Sequence, residues 1–318
     1  MKKIGLLLTL CAAVSALAQE PAPVGDQSTP AGTVATNLNF PVERIVAPTS
    51  SDLYCAGFVS KNLLPNVNFV TGGMDTPSTT NYGDSEIVYL TGKGYEVGKR
   101  YTIVRELRDP NRGEVYPGQS AMLKTMGQPY AELGRVRVVD TRNRNTVAKV
   151  EFSCSPILPG DLVTPFVEKA NVAYHGPMHF DRFAPPNGKP SGRIVLAKDF
   201  DTELGTGMKV YLNLGSNQGI KPGDYFRAVR SYEADLHDPV DSLSFKASTE
   251  DDTQARPPSI EKSMLNSSKG PNIHVADLPR RAVGEIVVLS TTPTTSTGMI
   301  VFAMEDVHIG DVVELDPQ

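Results

Sequence analysis

Two stretches of the chain decide the fold: AELGRVRVVDTRNRNTVAKVEFSCSPILPGDLVT (residues 131–164) and RAVGEIVVLSTTPTTSTGMIVFAMEDVHIGDVVE (residues 281–314). They align without a gap, so that Gly160 and Asp161 fall on Gly310 and Asp311. In both stretches apolar residues recur at every second position, which is the pattern of half-buried β-strands. The chain therefore carries an internal duplication of an all-β unit.

The segments upstream of these stretches align as well, if a short deletion is allowed in the first copy. Residues 83–106 then match residues 205–231, with Tyr89 on Tyr211, Gly98 on Gly223 and Arg105 on Arg230. We expect two tandem small β-barrels or closed sheets. Their predicted boundaries are module one at residues 51–166, a connector at 167–191, and module two at 192–318.

The N-terminal 18 residues, MKKIGLLLTLCAAVSALA, have two lysines, a short apolar run and a small-x-small site before Gln19. This layout predicts a secretory signal peptide at residues 1–18. Cys11 raises the alternative of a lipoprotein signal, although Leu10 stands where a small residue is usual. Residues 19–50 are rich in Pro, Ala, Thr and Ser and predict a flexible tether. No later stretch approaches the roughly 20 apolar residues of a transmembrane helix.

Charge and composition weigh against several classes of partner. The formal net charge is −5, tryptophan is absent and aromatic residues make up 7% of the chain. A nucleic-acid binder is expected to carry a basic patch, and a glycan binder aromatic platforms. We therefore predict no nucleic-acid partner.

Cys55 and Cys154 remain if the signal peptide with Cys11 is removed. Two cysteines in an oxidising compartment predict a disulfide. Because Cys55 lies in LYCAGFV, which has a strand-like pattern, the bridge would tie the first strand of module one to its last. Two buried thiols acting as small apolar residues are the alternative.

The stretch GIKPGDYF (residues 219–226) and its relatives LPGDLV and HIGDVV indicate tight corners between strands. Glycine supplies positive φ, proline presets φ, and aspartate accepts hydrogen bonds from nearby amides. The predicted structural turn residues are Gly98, Gly160, Asp161, Gly219, Pro222, Gly223, Asp224, Gly310 and Asp311.

The spacing required by known catalytic and ligand-binding motifs is missing. A phosphate loop needs Gly-Lys-Ser/Thr before a helix, and a calcium loop needs several oxygen ligands at alternate positions. HGPMH (residues 175–179) places two histidines four apart, but Gly-Pro between them argues against a zinc-binding helix. A nucleophile elbow is also missing. We predict no catalytic residue, no cofactor and no metal site.

Two features predict contact surfaces. In GMIVFAM (residues 298–304) Met299 and Val301 face outward and are nevertheless apolar, so this strand is expected to be an edge covered by the other module or by a partner chain. Insertions interrupt both copies, at residues 107–130 and 232–280. The second is long and polar, which favours disorder or a loop that orders on binding.

The pattern VYLNLGSNQGIKPGDYFRAVR followed by VGEIVVLSTTPTTSTGMIVFAMEDVHIGDVVEL resembles the C-terminal domain of flagellar assembly protein T and related small β-modules of bacterial envelope proteins. It is similar, more loosely, to the β-domain of rod-shape-determining protein C. The resemblance implies a small β-fold and a role in envelope assembly, in the periplasm or at the periphery of the outer membrane.

These observations predict an exported, non-enzymatic interaction or assembly module of the cell envelope. It would bind a protein partner through residues 232–280 or through the edge at Met299 and Val301. Association with peptidoglycan or the outer membrane is a further expectation. The alternatives are a secreted hydrolase with a spatially assembled site and a glycan- or peptidoglycan-binding module.

Overall fold

The computed structural model describes residues 46–110, 113–142, 145–174, 180–231, 255, 259–260, 272–273 and 278–316. The predicted signal peptide, most of the tether, the HGPMH histidines and most of the insertion at 232–280 lie outside the described residues. The chain from Glu43 onward forms one compact unit. The fold is all-β, with two closed six-stranded antiparallel barrels, which confirms the predicted fold class.

The first barrel lies within residues 69–165, and its strands follow the order β5-β4-β7-β2-β3-β6, with β6 pairing back onto β5. A short strand, β1, extends the sheet by pairing with the beginning of β5. Two helices accompany it, α1 at Ser50–Tyr54 and α2 at Gln119–Met126. The strands are β1 Phe58–Ser60, β2 Phe69–Gly73, β3 Ile87–Thr91, β4 Arg100–Glu106, β5 Gln128–Arg142, β6 Asn145–Ser153 and β7 Leu162–Pro165.

The second barrel closes in the order β10-β15-β14-β11-β17-β8. Two short pairs lie outside it, β9 with β16 and, in parallel, β12 with β13. The strands are β8 Ser191–Ala197, β9 Glu203–Leu204, β10 Lys209–Leu212, β11 Tyr225–Arg230, β12 Ser259–Ile260, β13 Asn272–Ile273, β14 Arg281–Thr291, β15 Ser296–Ala303, β16 Val307–His308 and β17 Val312–Leu315.

The duplication extends to the irregularities of the two sheets. Each barrel has four register shifts at which one residue is skipped in the pairing, and the skipped positions are equivalent in the two copies. Such bulges increase strand twist and bend, which a small closed barrel requires. The equivalent bulge residues are Thr71 and Val195, Leu133 and Val283, Val139 and Leu289, and Glu151 and Val301.

The bulges also limit what simple alternation predicts. Ala148 and Val150 lie in the core of the first barrel, and Ile300 lies in the core of the second, as the alternation indicates. Alternation also predicts that Phe302 points inward with Ile300, and this is wrong: beyond the bulge at Val301, Phe302 joins an apolar cluster outside the second barrel. One extra residue reverses the direction of every side chain that follows it.

The segment before the first barrel is helical where a strand was predicted. Thr49 caps α1: its hydroxyl accepts a hydrogen bond from the Asp52 amide at 3.2 Å, and the Asp52 carboxylate accepts one from the Thr49 amide at 2.9 Å. Cys55 is the C-cap of this helix, so the prediction that it lies in a strand is wrong. A reciprocal cap of this kind starts a helix even when the helix is short.

The insertion at 107–130 joins the two barrels. It contains α2, and the Tyr116 ring before this helix enters the core cluster of the second barrel. Within α2, Gln119 donates a hydrogen bond from its side chain to the Val195 carbonyl at 3.0 Å. Gly310 lies directly beneath the ring of Tyr116, where a Cβ atom would come within 2.9 Å of it. The insertion therefore fixes one barrel against the other.

Candidate functional site

The predicted turn residues lie at tight corners. Gly98, Gly160, Gly219, Gly223 and Gly310 all have positive φ, between 81° and 105°. At the corner that follows Pro222, the Asp224 carboxylate accepts a hydrogen bond from the Lys221 amide at 2.7 Å. The backbone of Gly223 and Asp224 also pairs with that of Val288. This geometry supports the structural interpretation of GIKPGDYF.

The corner aspartates have a second function that the sequence reasoning missed. Arg230 donates two hydrogen bonds to the Asp311 carboxylate, at 3.0 and 2.9 Å, and a third to the Asp306 carbonyl at 2.8 Å. The Arg230 and Asp311 side chains are only 4% and 6% exposed. A bidentate pair of this kind fixes the turn before β17 against β11.

The first barrel repeats this arrangement. Arg105 donates two hydrogen bonds to Asp161, both at 2.7 Å, and one to the Pro156 carbonyl at 2.9 Å. The alignment had already placed Arg105 on Arg230 and Asp161 on Asp311. An arginine and an aspartate that both recur in a duplicated unit are the signal from which this pair could have been found.

Cys55 and Cys154 form a disulfide, with their Cα atoms 5.6 Å apart. The predicted pairing is therefore confirmed, although it joins α1, rather than a strand, to the end of β6. Disulfides of this kind are typical of proteins in an oxidising, exported environment.

The outer surface of the second barrel around β15 is buried by the chain itself. We call it the covered face: it consists of apolar side chains on β11, β14 and β15. Leu53 and Ala56 pack on it from the α1 segment, and Val172 and Phe180 pack on it from the connector. Its residues are Tyr225, Val287, Leu289, Met299, Val301 and Phe302.

Met299 and Val301 therefore do not form an exposed edge. They are 0% and 1% exposed, and β15 pairs with β10 on one side and β14 on the other. The prediction of a partner-binding edge here is wrong. The expectation that these side chains are covered is confirmed, but residues of the N-terminal segment and the connector cover them, and not a partner chain.

Hydrogen bonds hold the N-terminal segment along the covered face. The Val46 amide donates to the Val301 carbonyl at 3.0 Å, so the segment uses the backbone at the bulge. The hydroxyl of Thr297 donates to the Gly57 carbonyl at 3.0 Å, and that of Tyr211 donates to the Ala56 carbonyl at 3.1 Å. Burial raises the pKa of Tyr211, which keeps this phenol protonated as a donor. The second barrel thus binds a chain segment that includes α1, through both apolar contacts and backbone hydrogen bonds.

A buried ion pair anchors the same segment to the first barrel. Lys169 lies 2.7 Å from both carboxylate oxygens of Glu132 and also donates to the Leu53 carbonyl at 2.8 Å. Glu132 accepts a further hydrogen bond from the Gly57 amide at 3.1 Å. Burial raises the pKa of Glu132, while Lys169 and the Gly57 amide oppose this rise.

The outer surface of the first barrel carries a different cluster. Glu151 lies within ion-pair distance of three arginines: Arg100 at 3.0 Å, Arg135 at 2.9 Å and Arg137 at 2.5 Å. Its burial favours the neutral acid, but the hydrogen bond from Arg137 and the charges of the three arginines outweigh this and lower the pKa of Glu151. One carboxylate therefore organises three cations on this surface.

A pocket of about 550 Å³ lies where the first insertion meets the second barrel. The residues that line it include two carboxylates, Glu106 and Asp109, and no serine, cysteine or histidine. They are Glu106, Leu107, Arg108, Asp109, Leu123, Gly127, Gln128, Pro129 and Leu196.

Within the described part of the chain, no three His, Cys, Asp or Glu side chains lie close enough together to hold a metal ion. No helix of the described residues is long and apolar enough to cross a membrane.

No protein-family model matches the sequence, and no curated protein matches it.

Proposed function

We propose that the protein is an exported, non-enzymatic interaction module of the cell envelope that binds a protein partner. The observation that carries this proposal is the covered face, on which the second barrel holds residues 46–57 by apolar packing and backbone hydrogen bonds. The barrel surface is therefore suited to binding a polypeptide segment.

Further observations support the proposed export and the proposed role in the cell envelope. The Cys55–Cys154 disulfide fits export, and the sequence pattern of residues 1–18 fits a signal peptide. The resemblance to small β-modules of envelope proteins suggests assembly as the role, in the periplasm or at the periphery of the outer membrane. The insertion at 232–280, which lies mostly outside the described residues, stays a second predicted contact region.

In-cell cross-linking of the mature protein, with and without residues 232–280, tests the proposal. We expect a defined envelope protein to be recovered with the full chain. A Gly205→Ala variant serves as a matched control, because a Cβ atom at Gly205 meets no atom within 4 Å. Recovery of no protein from any form would contradict the proposal, and binding to isolated peptidoglycan would favour the glycan-binding alternative.

A further inference from the structure

The covered face of the second barrel has an equivalent in the first, at positions set by the duplicated register. Arg100 pairs with Arg137 as Tyr225 pairs with Val287, and the bulge residues Val139 and Glu151 correspond to Leu289 and Val301. We call this surface the arginine face. It consists of Arg100, Arg135, Arg137, Val139, Lys149 and Glu151.

The two equivalent surfaces differ in exposure. Leu289 is 2% exposed beneath the N-terminal segment, whereas Val139 is 44% exposed. The side chains of Arg100 and Arg137 are 40% and 41% exposed. Tyr54 and Phe166 pack on Arg135 at one end of the arginine face, but Arg100, Arg137 and Val139 stay exposed.

The charge on this face is mostly positive. Arg100, Arg135 and Arg137 surround the single carboxylate of Glu151, and Lys149 lies on the same face, on a protein whose formal net charge is −5. Each guanidinium carries five N–H donors in a planar fork suited to carboxylates, so Glu151 alone occupies few of them. The arginine face therefore complements a partner that supplies carboxylates.

One arginine is already held in position. The guanidinium carbon of Arg135 lies 5.2 Å from the centroid of the Phe166 ring and 5.8 Å from that of Tyr54. Stacking on aromatic rings, together with the ion pair to Glu151, restricts this side chain before any partner arrives. Less conformational entropy is then lost on binding.

We propose that the arginine face binds an acidic segment of a partner protein, at the position equivalent to the one where the second barrel binds its own N-terminal segment. This inference rests on the proposed function and names its surface and the chemistry of the partner. Carboxylates of the segment would bind Arg100 and Arg137, and an apolar side chain beside them would cover Val139. The bulge at Glu151 would lie beneath the segment as the bulge at Val301 lies beneath Val46.

A labelled ten-residue peptide of alternating Glu and Val tests this chemistry, with a Gln/Val peptide of the same length as its control. Binding to the disulfide-bonded mature protein is measured by fluorescence anisotropy at two salt concentrations. We expect the Glu peptide to bind and the Gln peptide not to, with binding weakened by salt. Arg100→Gln and Arg137→Gln should each weaken binding about tenfold, because each removes a charge-assisted hydrogen bond.

Glu151→Gln separates this proposal from a purely structural role of the cluster. Because Glu151 competes for the same donors, its neutralisation should strengthen peptide binding several-fold. Lys61→Glu, on an exposed loop outside the face, should leave binding within twofold. Equal binding of the two peptides, or no effect of the Arg100 and Arg137 variants, would overturn the proposal. Equally tight binding of polyphosphate would overturn the assignment of an acidic protein segment and indicate a site for polyanions in general.

Site-specific photo-cross-linking in cells tests the partner itself. A photoreactive residue at Val139 should give an adduct that is lost in Arg100→Gln/Arg137→Gln, with the cross-linked peptide rich in Asp and Glu. The same residue at Leu63, which is 71% exposed, should give no such adduct. If a partner protein cross-links only to positions outside the arginine face, the proposed function stands and this inference is overturned. An adduct to residues 232–280 of the same chain would overturn the proposal that another protein occupies the arginine face.

Discussion

Glu151 and Val301 occupy the same bulge of the two barrels, yet Glu151 binds three arginines at the surface and Val301 is buried beneath the N-terminal segment of the chain. Duplication has therefore preserved a backbone feature while the side chains around it have diverged. One copy uses the face for internal packing. The other presents it as a charged surface.

Truncation of the equivalent residues Leu289 and Val139 should have unequal costs. Leu289→Ala should lower the free energy of unfolding by about 2–5 kcal/mol, because it leaves a cavity beneath the N-terminal segment. Val139→Ala should change it by less than about 0.5 kcal/mol, since its side chain is exposed. Urea denaturation measures both. Equal costs would contradict the assignment of one covered and one open face.

The buried Arg230–Asp311 pair should be sensitive to loss of one charge. Asp311→Asn should destabilise the protein by about 3–5 kcal/mol, because it removes the carboxylate opposite a guanidinium that is 4% exposed. Asp161→Asn in the first barrel should cost less, since the Arg105 side chain is 31% exposed and stays hydrated. Chemical denaturation of the two variants gives the comparison, and the reverse order would count against this account.

Reduction of the disulfide should lower stability without unfolding either barrel at room temperature. Cys55 and Cys154 are 99 residues apart, and closing a loop of about 100 residues contributes about 4–5 kcal/mol in the chain-entropy model. The melting temperature should fall when a reductant is added. The Cys55→Ser/Cys154→Ser variant should already melt at the lower temperature and should not respond to the reductant. If the reductant also lowered the melting temperature of that variant, the effect would have a cause other than the disulfide.

The corner at Gly223 should matter for stability and not for binding. Gly223 has φ +94°, and a Cβ atom there would meet nothing within 4 Å, so Gly223→Ala imposes backbone strain alone, of about 1–2 kcal/mol. Asp224→Ala should also destabilise, because it removes the acceptor of the Lys221 amide. Calorimetry of both variants, with Gly205→Ala as control, measures this. Selective loss of partner binding at an unchanged melting temperature would contradict the structural role.

The lowered pKa of Glu151 predicts how stability depends on pH. A carboxyl group whose pKa is lower in the folded state contributes stability above its unfolded value of about 4.3, and this contribution is lost as pH falls through the folded pKa. The melting temperature of the wild type should therefore fall more steeply below about pH 4.3 than that of Glu151→Gln. Glu151→Gln/Arg137→Gln should have the same slope as Glu151→Gln. Identical slopes in wild type and Glu151→Gln would contradict the prediction.

The strand pattern, the duplication, the corner residues and the cysteine pairing could all be predicted from the sequence. Alternation depends only on neighbours along the chain, and the duplicated stretches at 131–164 and 281–314 showed the same pattern twice. The helical segment before Cys55 was missed because its capping residues, Thr49 and Asp52, fall in a stretch of otherwise tether-like composition.

What the sequence by itself determined is the all-β class, the two copies and the positions of the turns, because these follow from local periodicity and backbone preference. The apolar outward residues Met299 and Val301 indicated that their strand is covered, but only the tertiary structure decided which segments cover it. Val301 and Glu151 are equivalent in the sequence alignment, but burial depends on segments distant in the chain, such as Val46 and Phe180, that pack on one barrel and not on the other. The pattern of the buried strand shows that something covers it, but it carries no information about which distant segment does so.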